Sequence, residues 1–505
     1  MKKRIGSLLL AIIMSFVILP AEYVQAQETV PEKEVIATAE VISAGDLLIG
    51  DKILKGAKQS DGTYDFSPIF KYVDDYLQAA DYAVINLETS IAGDEKGISG
   101  FPKFNTPECI VPAAQEAGFD MFLTASNHSY DWSYSGVLNR ISVLEKNGAD
   151  YIGTRKNTAE SYHKVVDVNG IKIGMLNYTK EAAGSTESKV VLNRLISGTG
   201  KELKKVVVGS KGKNVIARYN NKRLTDFYKV LKTDIEALKA QGAEVIVAYP
   251  HWGNEYNIGY NSTENKIAQK MCDYGVDVII GGHPHVVEPT KVYTSDVSGK
   301  TTICMHSTGN FVSHMRVTDN KKNRKYVEDG ALFTFTAEKY SDGTVLVTSA
   351  ELLPTWVKKS GYKYSVVPLD KSVNWSDEFG ISKTSSKTSS GAQSYKRTTK
   401  IAASGVKKFN GVARITQNPE AAEAVAGEQV FYEVSAVGEN MTYQWQYSKD
   451  GGKSWKNATE ASADTPCLTV NVKKEKDGRY YRCRVKTKSG SVYSKKAELT
   501  VKTSE

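Results

Sequence analysis

Cysteine is scarce in this chain of 505 residues. There are five, Cys109, Cys272, Cys304, Cys467 and Cys483, and none stands in a CxxC pair. That argues against thiolate zinc modules, and the odd, widely spaced set argues against a scaffold held by dense disulfides. A chain this long can rest on a hydrophobic core instead. Cys272 and Cys304 lie in apolar contexts and read as inert core residues. Aromatic residues do not recur at a spacing that would stack successive bases, so nucleic acid is not an expected partner. Beyond residue 26 no stretch is long and apolar enough to cross a bilayer.

The amino end differs. Lys2, Lys3 and Arg4 precede the apolar run Leu8 to Leu19, and Val24-Gln25-Ala26 offers small residues for cleavage. Residues 1–26 read as a secretory signal peptide whose apolar part is short for a transmembrane span. No lipid-accepting cysteine follows. The mature protein is expected to begin near Gln27 and to be secreted or held in the cell envelope, with no transmembrane segment after cleavage. Retention of the segment as an uncleaved anchor is the alternative.

Acidic charge is in deficit. The formal net charge is +9, and about +7 without the signal segment. The excess is local: Lys201, Lys204, Lys205, Lys211, Lys213, Arg218, Lys222 and Arg223 crowd one tract, and a second runs from Lys383 to Lys408. Such tracts read either as a solvated loop and a linker, or as attraction to an anionic capsule or cell-wall polymer.

Histidine is nearly as rare as cysteine, with seven in all. Four of the seven sit in three short motifs, each directly after an apolar β-type run. Val245–Tyr249 leads into His251-Trp-Gly-Asn-Glu255, Val276–Ile280 into Gly281-Gly-His283-Pro-His285, and Asp120–Thr124 into Asn127-His128-Ser-Tyr-Asp131. Two more runs end in acids, Val41 to Asp46 and Tyr82 through Asn86 to Glu88. In open α/β sheets the carboxyl ends of strands are where ligands bind. Imidazoles, carboxylates and an amide brought to five strand ends are what a metal-dependent hydrolytic centre needs. An acid at the mouth of a buried strand, as at Glu88, is costly unless paired or ligated. Asn86 is expected to orient the loop rather than to ligate. Asn127 offers an amide oxygen to a cation, and His128 can serve as general acid with Asp131 holding its other ring nitrogen. His283 and His285, two apart, can address two metals, and Glu255 can orient a ring or bind substrate. Taken singly, each motif also fits a turn, a cap or a satisfied polar loop.

Residues 35–365 alternate strand-like runs with helical patterns at Pro68–Ala80, Val111–Ala117, Ser135–Asn147, Leu224–Gln241 and Glu264–Tyr274, which predicts an α/β fold with mixed sheets and flanking helices. Residues 371–412 include the repetitive tract Ile381 to Gly391 and read as a flexible Ser/Thr/Lys linker. Residues 413–503 predict short strands and turns. Tyr443-Gln-Trp445-Gln-Tyr resembles a central strand with a buried tryptophan, and Asp477-Gly-Arg-Tyr-Tyr481-Arg-Cys483 resembles a tyrosine corner, so this part resembles an all-β immunoglobulin-like sandwich. Its early strand Val430–Val434 has no cysteine. Alternation in Cys467–Val472 turns Leu468, Val470 and Val472 inward and Cys467 outward, away from a bond to Cys483.

The ordered set Gly45-Asp46, Asn86-Leu-Glu88, Asn127-His128 with Asp131, His251-Trp-Gly-Asn-Glu255-Tyr and Gly282-His283-Pro-His285, with Ser307-Thr-Gly309-Asn310-Phe after it, resembles the capsule-synthesis family called CapA. That family is tied to poly-γ-glutamate synthesis or export and is related to calcineurin-like metallophosphoesterases. The resemblance covers roughly residues 35–365. It implies a metallophosphoesterase-like sandwich in which Asp46 ligates a first metal, Glu88 bridges, Asn127, His251 and His283 complete a second metal, and His285 completes the first. His128 would be the general acid, with Asn86, Glu255 and Asn310 orienting or binding substrate. It also implies partners among capsule-synthesis membrane proteins. One position departs: phosphoesterases of this type carry a histidine two residues after the first aspartate, and here that residue is Leu48. The expected cofactor is therefore a divalent metal, Mn, Fe or Zn, in one firm site and one weak or vacant site. Three functions follow as expectations: a capsule or cell-wall hydrolase or ligase-assisting factor, a non-catalytic polyanion-binding envelope protein, or a secreted nucleotidase-like phosphatase.

Overall fold

A computed structural model describes residues 34–196, 201–319 and 325–503. The expected signal segment lies outside the described residues. Among the described residues, seventeen strands precede residue 371: β1 (Val35–Leu47), β2 (Tyr82–Asn86), β3 (Met121–Leu123), β4 (Asp150–Ile152), β5 (Lys164–Val168), β6 (Ile171–Lys180), β7 (Val190–Ile196), β8 (Glu202–Val208), β9 (Arg218–Tyr219), β10 (Val245–His251), β11 (Val278–Ile280), β12 (Thr290–Thr294), β13 (Thr301–Met305), β14 (Asn310–Val312), β15 (Asp329–Tyr340), β16 (Val345–Ser360) and β17 (Lys363–Pro368).

They form two mixed sheets and a separate hairpin, β7–β8. One sheet runs β17-β16-β15-β1-β2-β3-β4 with β14 beside β1; the other runs β12-β13-β11-β10-β6-β5 with β9 beside β6. β1, β2, β3 and β4 are mutually parallel, as are β6, β10, β11 and β13. Their near-continuous apolar runs are what strands covered on both faces require. One face of each sheet meets the other: Val41, Val84 and Phe333 share a core with Met175, Val247 and Ile303. The outer face of the first sheet buries Ile42, Ile85 and Phe122 beneath the short helices of residues 51–78 and Ile110–Glu116. The outer face of the second is covered by Leu224–Ala240 and Ser262–Tyr274, through Leu231, Ile235, Ile267 and Met271. The α/β expectation with mixed sheets and flanking helices thus describes this body. The helix expected over Pro68–Ala80 is two, Ser67–Phe70 and Asp74–Gln78, and Phe70, Val73 and Leu77 from this stretch are buried in the core.

The linker expectation for 371–412 is corrected. This tract holds a helix at Trp375–Phe379 and another of 21 residues at Gly391–Gly411. The long helix lies on the edge of both sheets, burying Ser394, Thr398, Ala402, Gly405 and Phe409, spaced at helical intervals. A Cβ at Gly405 would stand 2.4 Å from the carbonyl oxygen of Thr290, so only glycine allows this approach. Small residues make close packing here while giving the low hydropathy of a linker. Arg397 pairs bidentately with buried Asp329 at 2.6 Å, and Arg316 pairs with buried Glu328 at 2.9 Å, which also accepts from Ser389 at 2.6 Å.

Residues from Arg414 on are rich in strands. One sheet is built on Thr442–Ser448, Arg479–Thr487 and Ala497–Lys502, and Gln429–Glu433 pairs with Cys467–Asn471. Trp445, Tyr432, Leu468, Val470, Tyr481 and Cys483 form its core, and Cys467 is only half-buried. All five cysteines are free. Arg482 pairs with Asp296 of the β12–β13 turn at 2.6 Å.

Phe409→Ala tests the corrected helix. A large fully buried side chain on a packed helix predicts a loss of about 3–5 kcal/mol in denaturant unfolding. A loss near zero would return this tract to a linker.

Candidate metal centre

The parallel strands of both sheets end at one edge of the sandwich, and the polar residues that follow them converge there. Asp46 closes β1 and pairs in register with Asn310 of β14. Asn86 and Glu88 follow β2, Asn127 and His128 follow β3, His251 ends β10, and His283 and His285 follow β11. All are buried. Glycine permits the close approach: a Cβ on Gly282 would stand 2.7 Å from Asp46 Oδ1. His283 and His285 themselves adopt φ of 94° and 57°, a region that L side chains rarely occupy. Such strain persists where surrounding structure over-determines it, as at functional sites.

Glu88 stands at the centre. Its Oε1 lies 3.5 Å from His251 Nε2 and its Oε2 3.7 Å from His285 Nδ1. Neither oxygen has a hydrogen-bond partner among the described residues. Asn127 Oδ1 lies 2.9 Å from His251 Nε2, and the His251 and His283 rings are 4.8 Å apart. His283 Nδ1 is buried without a hydrogen-bond partner among the described residues. On the other side, His285 Nδ1 is 3.2 Å from Asp46 Oδ2 and 3.0 Å from Asn310 Oδ1. Two groups of three donors result, Glu88 with His251 and His283, and Asp46 with Glu88 and His285. The ligand atoms of each lie within 4.8 Å of one another and could hold a metal ion.

The electrostatics follow. Burial alone would neutralise His285, but Glu88 and Asp46 hold a proton on it, pushing its pKa up to about 10. Burial also disfavours the Asp46 carboxylate, but His285, His251 and the Asn86 amide keep its pKa below the usual range. For His283, burial first and then the charge of His251 hold the pKa well below the usual range and keep the ring neutral. The oxygens that hold a proton at His285 are those a cation would use, so the donor chemistry fits a divalent metal.

Beside the cluster, His128 Nδ1 is 2.8 Å from Asp131 Oδ2, and Phe104 meets the His128 ring edge-on at 4.7 Å. Burial works against its charged form, but the charge and hydrogen bond of Asp131 raise the pKa.

The model of a family described as bacterial capsule synthesis protein PGA_cap matches residues 40–315. The chain belongs to this PGA_cap family. A PGA biosynthesis protein CapA of Bacillus subtilis (strain 168) is 26% identical over 312 residues, covering 59% of this chain and 70% of that protein. A capsule biosynthesis protein CapA of Bacillus anthracis is 26% identical over 321 residues, covering 62% and 67%. Among solved structures, tandem Ig repeats of Dlar align with 18% of this chain and 48% of that one, at 22% identity and a TM-score of 0.16. So slight a likeness carries no argument about the carboxyl-terminal strands.

Within this PGA_cap chain the structure brings Asp46, Glu88, Asn127, His251, His283 and His285 together. Asn86 donates to Asp46 Oδ1 at 2.6 Å and lies 3.2 Å from His251 Nδ1. Asn310 Nδ2 donates to the carbonyls of His285 and Val327 at 3.1 and 2.9 Å. Glu255 is not brought in. It is exposed, because the backbone turns outward at Gly253 (φ 77°), although its charge still reaches His285. Leu48 is buried against Phe104, Val286, Met315 and Val327, so hydrocarbon fills that position. Two neighbours carry no sequence signal: Phe104, and Asn193 of β7, whose Nδ2 is 3.1 Å from His128 Nδ1. A buried charge cluster also abuts the histidine loop. Glu264 and Glu288 share the neighbourhood of Lys180, which hydrogen-bonds the Gly253 carbonyl oxygen.

Burial and the charge of Glu264 push Glu288 up to about 10. An acid whose folded pKa is raised contributes stability below its unfolded pKa and loses it as pH rises toward the folded value. Glu288→Gln should therefore match the parent near pH 4.5 and exceed it by about 1–3 kcal/mol at pH 9 in unfolding titrations. An equal gain at both pH values would contradict a raised Glu288 pKa.

Proposed function

We propose that this chain is an extracytoplasmic capsule-biosynthesis protein with a metal-dependent, phosphoesterase-like site at the strand ends. The observation that carries the reading is Glu88, a fully buried carboxylate flanked by imidazoles, with both oxygens lacking hydrogen bonds among the described residues. Burying such a group without a cation costs several kcal/mol, on the order expected for an unpaired ion. Mn, Fe or Zn suits these donors. Glu88, Asn127, His251 and His283 would hold one ion, and Asp46, Glu88 and His285 the other. With Leu48 packed in hydrocarbon, the second set is short of a nitrogen, hence one firm site and one weak or vacant. A bound divalent ion supplies the positive charge that polarises a phosphoryl group and acidifies water.

The chain's own residues supply the rest. His128 Nδ1 donates to Asp131 Oδ2, leaving Nε2 to deliver a proton to a departing oxygen. Phe104 and the burial of His128 limit water beside that proton. Asn86 and Asn310 position Asp46 and His285. The location outside the cytoplasm rests on the signal-like residues 1–26 and on the capsule role in the relatives' names. The partners we propose are an anionic capsule or cell-wall polymer and capsule-synthesis membrane proteins. We read the strands from Arg414 to Lys502 as an immunoglobulin-like module for display at the envelope. A non-catalytic polymer holder is the second reading, favoured by the cations of the β7–β8 hairpin near His128.

Calorimetric titration of Mn into chelator-treated protein should give two unequal classes of site, both lost in Glu88→Ala; two equally tight sites would refute the asymmetry. His128→Ala should keep its metal while hydrolysis of bis-p-nitrophenyl phosphate falls about 100- to 10,000-fold. A metal-loaded parent without turnover would favour the holder reading.

A further inference from the structure

The loops that follow β10 and β11 are tied to each other through backbone. The Trp252 N–H donates to the Gly282 carbonyl at 3.0 Å, the Gly282 N–H to the Pro250 carbonyl at 3.1 Å, and the Tyr256 N–H to the Pro284 carbonyl at 2.7 Å. Between these bonds the first loop turns at Gly253, with φ of 77°. A Cβ there would stand 3.2 Å from Pro284 Cγ and 2.8 Å from Glu264 Oε1. Gly253 is thus gripped between the proline that separates His283 from His285 and a carboxylate of a neighbouring helix.

Two elements outside the histidine loops supply this grip. Thr179 of β6 pairs in register with His251 of β10, so Lys180 leaves the sheet beside that histidine, and its Nζ donates to the Gly253 carbonyl. Glu264 lies in the first turn of the helix Ser262–Tyr274. Its Oε2 accepts from the Asn261 N–H at 2.7 Å, closing a capping box that fixes the side chain and leaves Oε1 against Gly253. Glu264 and Glu288 are both buried, and Glu264 Oε1 and both Glu288 oxygens lack a hydrogen-bond partner among the described residues. Burial lowers the Lys180 pKa, and the charges of Glu264, Glu255 and Glu288 oppose that effect. Taking two carboxylates and an ammonium out of water costs about as much as their attraction returns, so such a cluster is a weak source of stability. Its contacts all converge on one turn, and what they fix there is geometry.

We propose that Lys180 and Glu264 are positioning residues for the metal centre: holding Gly253 by its carbonyl and at its α-carbon, they set the placement of His251 relative to His283, whose rings stand 4.8 Å apart. The proposal rests on the metal-centre reading above and adds the residues that hold its donors from outside. Its effect falls on one donor group. His251 and His283 serve the same group with Glu88. His285 is held separately by Asn310, whose Oδ1 lies 3.0 Å from His285 Nδ1 and whose Nδ2 donates to the His285 carbonyl at 3.1 Å.

The test is calorimetric titration of Mn into the chelator-treated full mature chain. Lys180→Met and Glu264→Ala should each weaken the tighter class of site about 10-fold or more and leave the weaker class unchanged. Lys180→Arg, which can still donate to the Gly253 carbonyl, and Glu264→Gln, which keeps the cap and the contact, should bind Mn as the parent does. A residue that served the fold alone would not separate the two classes. If one truncation does not fold, the other decides; failure of both to fold would assign the pair to the fold and overturn the proposal. Parent-like affinity of the tighter class in a folded truncation would overturn it while the metal reading stands. So would equal weakening of both classes, or a loss in Glu264→Gln as large as in Glu264→Ala. Absence of Mn binding by the parent, or its retention by Glu88→Ala, would instead overturn the metal reading itself.

Discussion

One carboxylate sets the terms for the rest of the structure. Glu88 is fully buried, lies 3.5 and 3.7 Å from imidazole nitrogens of His251 and His285, and its carboxylate oxygens lack any hydrogen bond among the described residues. An ion so placed is tolerable only with positive charge nearby. Without a cation, a proton held on His285 fills that role. With one, Glu88 becomes the ligand common to both donor groups. His251 and His285 come from the second sheet and Glu88 from the first, so this one side chain also ties the two sheets together at their functional edge.

The sandwich exists to hold that edge. Apolar strands on shared faces fix where each chain end emerges, and glycines at Gly45 and Gly282 let backbones come closer than any Cβ would allow. The left-handed backbone at His283 and His285 is a local cost borne by the loop that turns both rings inward. The helix Gly391–Gly411 and the ion pairs of Arg397 and Arg316 brace β15 and β16, and through β15 they support β1 and Asp46.

Much of this was legible in the sequence, for a physical reason. A polar residue placed directly after a long apolar run must emerge at a strand's end, and five such runs name Asp46, Glu88, Asn127, His251, His283 and His285. Glu255 shows the limit of that inference, since a turn at Gly253 sends it to solvent. The helix at 391–411 was misread because a helix that packs closely uses Ser394, Thr398, Ala402 and Gly405, whose composition matches a linker. Asn193 and Phe104 were illegible as site residues because they arrive through a hairpin and a loop, where spacing carries no period.

X-ray absorption at the edge of a bound metal would test the central claim most directly. Protein loaded with one equivalent of Zn or Mn should show imidazole scattering and a nearest shell of nitrogen and oxygen at about 2.0–2.2 Å. A shell of oxygen alone, with the pattern of a hydrated ion and no imidazole, would contradict the account.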